Sequence, residues 1–97
     1  MSIPLGSSVL IIGAGPVGLL HLQLAKINGA HEVTITDIIE SKIQFAKTLG
    51  ADRALTSQEL KRMEEKQSFD VVIDCTGIAK EVEDAIKYVK DAGTLFL

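Results

Sequence analysis

Apolar positions along the chain follow two periods. Short runs rich in β-branched residues, at 9–12, 32–36, 53–55, 71–74 and 93–97, alternate with longer stretches of helical spacing, the signature of βαβ units around a parallel sheet. The first run, Val9–Ile12, is apolar throughout, as expected of a parallel strand covered on both faces. The next stretch predicts a helix from Pro16 to Asn28, with Val17, Leu20, Leu24 and Ile27 forming its apolar face and Gly29 ending it. A second strand, Glu32–Thr36, runs into Asp37. The second helix, Glu40 to Leu49, turns Ile43, Ala46 and Leu49 inward and stops at Gly50.

A weak third strand, Arg53–Leu55, leads to Thr56, whose spacing from Glu59 allows a capping box. The third helix, Ser57 to Lys66, carries the run KRMEEK as a solvated face and has only Leu60 and Met63 to bury. FDVVIDCTG supplies a fourth strand, Val71 to Asp74. The fourth helix, Ala79 to Lys90, places Val82, Ala85, Ile86 and Val89 at i, i+3, i+4 and i+7. GTLFL, Gly93 to Leu97, reads as a fifth strand. The expected fold is thus a doubly wound α/β sheet in three layers.

Composition narrows the class. The 97 residues are 46% apolar and 24% charged, enough for one core and one domain spanning 1–97. A net charge of −3, no Trp, one Tyr and three Phe argue against nucleic acid, which calls for a basic face and stacking platforms. The apolar run near the N-terminus is far too short for a membrane span or a signal-peptide core, so a cytoplasmic protein is expected. One cysteine, Cys75, cannot form an internal disulfide or a multi-cysteine zinc site, and fits a reducing compartment.

The chemistry lies in the first turn. Gly13, Gly15 and Gly18 form G-x-G-x-x-G directly between a strand and a helix, the context in which that pattern binds dinucleotides. Gly13 permits the tight turn, Gly15 lets the backbone approach a pyrophosphate, and Gly18 lets the helix pack on the strand. Pro16 suits a first helical position, where its missing N–H costs nothing, and the positive helix end would face the diphosphate. The competing reading is a glycine-rich turn that binds nothing. Asp37, at the end of the second strand, is placed to accept hydrogen bonds from the adenosine ribose; otherwise it is a solvated turn residue. A carboxylate there repels a 2′-phosphate, and Ile38 and Ile39 bring no cation to hold one. NAD is therefore expected and NADP disfavoured.

Together, VLIIGAGPVGLLHLQLAKINGA, the Asp37 strand, AKTLGAD and DVVIDCTG resemble the coenzyme domain of zinc-dependent medium-chain alcohol and polyol dehydrogenases, the group of sorbitol and threonine dehydrogenases. The resemblance implies that Gly13, Gly15, Pro16, Val17 and Gly18 line the pyrophosphate and that Asp37 binds the ribose. It also implies that Thr76 and Gly77 border the adenosine side. Lys42 matches a basic residue that approaches the ribose, or makes an ordinary surface contact. The family transfers a hydride between an alcohol and nicotinamide with the help of zinc, whose ligands belong to a separate catalytic domain; no catalytic or metal-binding residue is expected in this chain.

His21 and His31 read as surface or partly packed residues, Cys75 as a small residue under the crevice, and Asp74 as a strand-end turn carboxylate. The family's sheet has six strands in the order 3-2-1-4-5-6, so the resemblance implies a Rossmann sheet that stops after the fifth. Thr94 to Leu97 would then form an apolar edge that favours self-association. Two other readings stay open: a non-catalytic nucleotide-sensing module, as in the regulatory domains of potassium transport systems, and an FAD-binding fragment, because GAGPVGL also opens flavin domains.

Overall fold

A computed structural model of the chain describes residues 3–64 and 68–97. Strand β1 (Ser8–Ile12) lies at the centre of the sheet, between parallel partners β2 (Glu32–Asp37) and β4 (Phe69–Asp74), and is apolar on both faces because Val9 and Ile11 enter one core layer and Leu10 and Ile12 the other. Val9 and Ile11 stand level with Val33 and Ile35 on one side and with Val71 and Ile73 on the other. β3 (Arg53–Thr56) extends the sheet beyond β2 and β5 (Val89–Phe96) beyond β4, all parallel, in the order β3-β2-β1-β4-β5. This is the expected α/β Rossmann arrangement.

Helices α1 (Pro16–Ile27) and α2 (Glu40–Thr48) bury Leu22, Ala25, Ile43 and Ala46 against Val9, Ile11, Val33, Ile35, Val71 and Ile73. After β3 the chain crosses back to the centre, so α3 (Ser57–Arg62) and α4 (Ala79–Tyr88) cover the opposite face, where Leu60, Ala85 and Tyr88 meet Leu10, Ile12, Phe69 and Val72. Both layers follow from the right-handed crossover of parallel strands.

Helix α1 corrects the reading from spacing. Val17 is 56% exposed and Ile27 80%, and Leu20 and Leu24 also face outward; the buried residues are Gly18, Leu22 and Ala25. Gly18 decides this orientation. A Cβ there would stand 2.9 Å from the carbonyl carbon of Gly13 and closer still to its oxygen, so the helix touches the sheet at Gly18. Leu22 and Ala25, four and seven residues on, must follow it inward.

The capping box at Thr56 is present, with Glu59 N–H donating to Thr56 Oγ1 at 3.1 Å and Thr56 N–H to Glu59 Oε1 at 2.9 Å. The helix it starts ends at Arg62, and Glu64 has φ of +52°. Met63, expected inside, is 44% exposed because the helix has already stopped; the expected extension through Glu65 and Lys66 lies outside the described residues. α4 is likewise shorter than its apolar spacing suggested. Ala85 and Tyr88 are its buried residues and Ile86 is 58% exposed, while Val89 and Lys90 belong to β5.

β5 is longer than GTLFL and irregular. Val89 pairs with Phe69 and Thr94 with Val71, so Lys90–Gly93 bulges out of the ladder, with Ala92 at φ +63°. A Cβ on Gly93 would come within 2.8 Å of the Asp70 carbonyl oxygen, which leaves glycine to close the bulge.

Candidate functional site

A cavity of about 280 Å³ opens over the C-terminal ends of β1, β2 and β4, where strand order reverses and two connections part to opposite faces. Such a crevice is where doubly wound sheets bind ligands. Backbone bonds carry the sheet into its walls: Gly13 N–H donates to the Thr36 carbonyl and Cys75 N–H to that of Ile12, both at 2.8 Å.

The three glycines of the first turn have different causes. Gly13 has φ of +107°, a conformation that L side chains rarely adopt, and a Cβ there would press within 3.2 Å of Thr76 Cγ2. Gly18 is demanded by the helix–strand contact. Gly15 has an ordinary extended backbone, φ −79° and ψ −173°, and a Cβ on it would meet nothing within 4 Å. No protein atom requires glycine at that position; the cavity is what a side chain would enter.

Asp37 is built into this turn. Its Oδ2 accepts from Ala14 N–H at 2.8 Å and its Oδ1 from Ile39 N–H at 2.9 Å, so one carboxylate ties the end of β2 to the glycine loop. After β4, Asp74 plays the corresponding part. It is buried, and its Oδ1 accepts from both Thr76 N–H (3.0 Å) and Thr76 Oγ1 (2.7 Å), while Thr76 Oγ1 accepts from Ile78 N–H at 3.2 Å. Asp74 is thus a turn carboxylate that positions Thr76.

Of the residues singled out in the sequence, Gly13, Gly15, Asp37, Lys42, Cys75 and Thr76 share the cavity. Pro16 lines a shallower hollow beside it, again with Gly15 and Lys42. The Val17 side chain, Gly18 and Gly77 do not line the main cavity. Gly18 is consumed by packing, and Gly77 sits in an exposed turn at φ +67°. The backbone N–H groups of Val17 and Gly18 nonetheless precede the first bond of α1, Leu19 N–H to the Gly15 carbonyl at 2.9 Å, and so belong to the free donors of a helix start.

Ile38 and Ile39 beyond β2, named in the sequence only as bringing no cation, line the cavity, and sequence reasoning missed the rest of the wall: Ile78 beyond β4, Ser57 and Glu81. The signal for the isoleucines was available: large apolar residues just past strand ends, where solvated turn residues are usual.

Cys75 is a half-buried wall residue whose thiol burial pushes up to about 11, the Asp74 carboxylate adding to the rise. It is neutral around pH 7, and its thiolate fraction grows about tenfold per pH unit until that value. Because the thiolate is the nucleophile, alkylation by iodoacetamide at pH 8 is expected to be about two orders of magnitude slower than for an unperturbed cysteine. A rate at pH 8 equal to that of the unfolded chain would show the thiol to be unshielded.

His31 is exposed, and His21 is partly buried, its Nδ1 without a hydrogen-bond partner among the described residues. Among the described residues no three His, Cys, Asp or Glu side chains come together to hold a metal ion, and no helix is long and apolar enough to cross a membrane.

Comparison with known proteins agrees with this geometry. Sorbitol dehydrogenase of Mus musculus is 38% identical over 104 aligned positions, which cover 99% of this chain and 29% of that protein. The alcohol dehydrogenase TADH from Thermus sp. ATN1 superimposes with a TM-score of 0.84 at 27% identity, over 96% of this chain and 29% of that one. A zinc-binding dehydrogenase from Sinorhizobium meliloti 1021, solved bound to NADP, gives a TM-score of 0.81 at 32% identity, over 94% and 29% of the two chains. The chain thus spans less than a third of the length of these relatives. The family model described as zinc-binding dehydrogenase matches residues 16–97, everything from the first helix onward, and the chain therefore belongs to the zinc-binding dehydrogenase family.

Proposed function

We propose that this chain is the coenzyme-binding part of a medium-chain, zinc-dependent alcohol or polyol dehydrogenase and that it takes up NAD(H) in the cavity over β1, β2 and β4. The observation that carries the reading is Gly15: its backbone tolerates any residue, its missing side chain leaves open space, and it lines both hollows beside the start of α1. The bound nucleotide supplies the hydride acceptor or donor. The residues of this chain bind and orient it. The helix start, with the Val17 and Gly18 N–H groups, takes the pyrophosphate, and Asp37, which keeps lone pairs beyond its two backbone bonds, takes ribose hydroxyls. Lys42 stands at the rim and Thr76 on the opposite wall. No catalytic group and no metal step is assigned to this chain, which is expected to be inactive alone; a reducing cytoplasm suits its single neutral thiol.

NAD is preferred over NADP in this reading, because Asp37 sits where a 2′-phosphate would lie and Ile38 and Ile39 offer it no cation. Calorimetric titration with NAD, NADP and ADP-ribose is expected to show NAD and ADP-ribose binding with similar affinity and NADP at least about tenfold more weakly, a difference of about 1.4 kcal/mol. Equal or tighter NADP binding would assign Lys42 to the 2′-phosphate and overturn the preference.

We further propose that the chain self-associates through β5, whose outer edge carries no strand of the described sheet. Light scattering should show a mass that rises with concentration. A constant monomer mass up to high concentration would mean that the Lys90–Gly93 bulge protects the edge.

A further inference from the structure

The cavity has a second end, away from the glycine turn. Ile12 and Thr36 form its floor there, and Ser57, at the start of α3, and Glu81, in the first turn of α4, close it; the same four residues also line a smaller void beneath. Apolar side chains flank this end, Ile38 from the β2 side and Ile78 from the β4 side. Glu81 is partly buried, and among the described residues its carboxylate makes no hydrogen bond and no ion pair. Two lysines on this side of the sheet are engaged by Asp84: Lys61 lies 3.5 Å from Asp84 Oδ2 and Lys87 3.4 Å from Asp84 Oδ1.

An apolar slot closed by an unpaired acceptor suits a flat heterocycle with a hydrogen-bond donor on its far edge. A carboxylate has no proton to give, so it rewards an exocyclic amino group and repels a carbonyl oxygen in the same place. Resting on the dinucleotide reading above, we propose that Glu81 determines base specificity in this site, accepting a hydrogen bond from the 6-amino group of adenine and discriminating against 6-oxopurines.

The test compares NAD with nicotinamide hypoxanthine dinucleotide, in which an oxygen replaces that amino group, by calorimetry on the wild-type chain and on Glu81→Gln and Glu81→Ala. Each variant is first checked by thermal melting. Wild type is expected to favour NAD by about tenfold, the range of a hydrogen bond to a charged acceptor. Gln can present either a carbonyl or an amide N–H, so E81Q should bring the ratio to within about threefold of unity, chiefly by gaining hypoxanthine binding. E81A should do so by losing NAD affinity.

A role of Glu81 confined to favouring the start of α4 would lower stability and leave the base ratio unchanged. NAD binding with the same ratio in all three proteins would overturn the assignment while leaving the dinucleotide reading intact. Failure of folded wild type to bind either nucleotide would overturn both.

Discussion

Gly18→Ala is expected to cost about 4 kcal/mol or more, a large part of the roughly 5–15 kcal/mol that holds a domain of this size together. The added methyl would overlap the Gly13 carbonyl group, which is backbone and part of the turn that closes β1. No rotamer change can relieve that overlap, so α1 must lift away. In lifting it withdraws Leu22 and Ala25 from the core they share with Val9, Ile11 and Val33, adding lost burial to overpacking. Urea unfolding with circular dichroism reads the effect. A variant as stable as wild type would mean that the helix can slide over β1 at little cost.

Gly15→Asp, three residues earlier in the same motif, is expected to do the opposite. Gly15 is the N-cap of α1, with extended backbone, no side-chain cap and open space around its Cα. Asp is among the best N-cap residues, so stability should hold or rise by a few tenths of a kcal/mol. The new carboxylate would occupy the cavity, compete for the free N–H groups of the helix start and repel a diphosphate. NAD affinity should therefore fall at least about 100-fold, or about 2.7 kcal/mol. Undiminished NAD binding by a folded G15D protein would remove the pyrophosphate from this turn. The two substitutions thus test separately the packing role read for Gly18 and the ligand role read for Gly15.

The strands, their parallel pairing and the turn that marks the crevice were legible in the sequence because each depends on local pattern, whereas the order β3-β2-β1-β4-β5 was implied by the family resemblance. An all-apolar run such as Val9–Ile12 needs cover on two faces, helices between such runs call for parallel pairing, and glycines at the first strand–helix turn mark the end where a ligand enters. The capping box at Thr56 and the turn carboxylate at Asp74 were legible for the same reason, since both bond within three residues of themselves. Element ends fared less well. Spacing ran α4 on through Val89 and Lys90, whereas pairing of Val89 with Phe69 takes them into β5.

Which side of α1 lies inward was decided by tertiary contact. Val17, Leu20, Leu24 and Ile27 form the more conspicuous apolar row, yet a helix orients by closest approach, and a glycine with no side chain outweighs four larger residues when it alone lets two backbones meet. Periodicity measures hydrophobicity and is blind to that contact. The far end of the cavity has the same origin. Ile38, Ser57 and the pair Ile78 and Glu81 come from three separate strand-to-helix units, after β2, β3 and β4, and nothing in the local sequence of one unit says that it shares a wall with the others. The sequence by itself determined the strands, their parallel sense and the glycine turn that opens the crevice; only the folded sheet, by bringing the ends of β2, β3 and β4 to one edge, decided which side chains face one another across it.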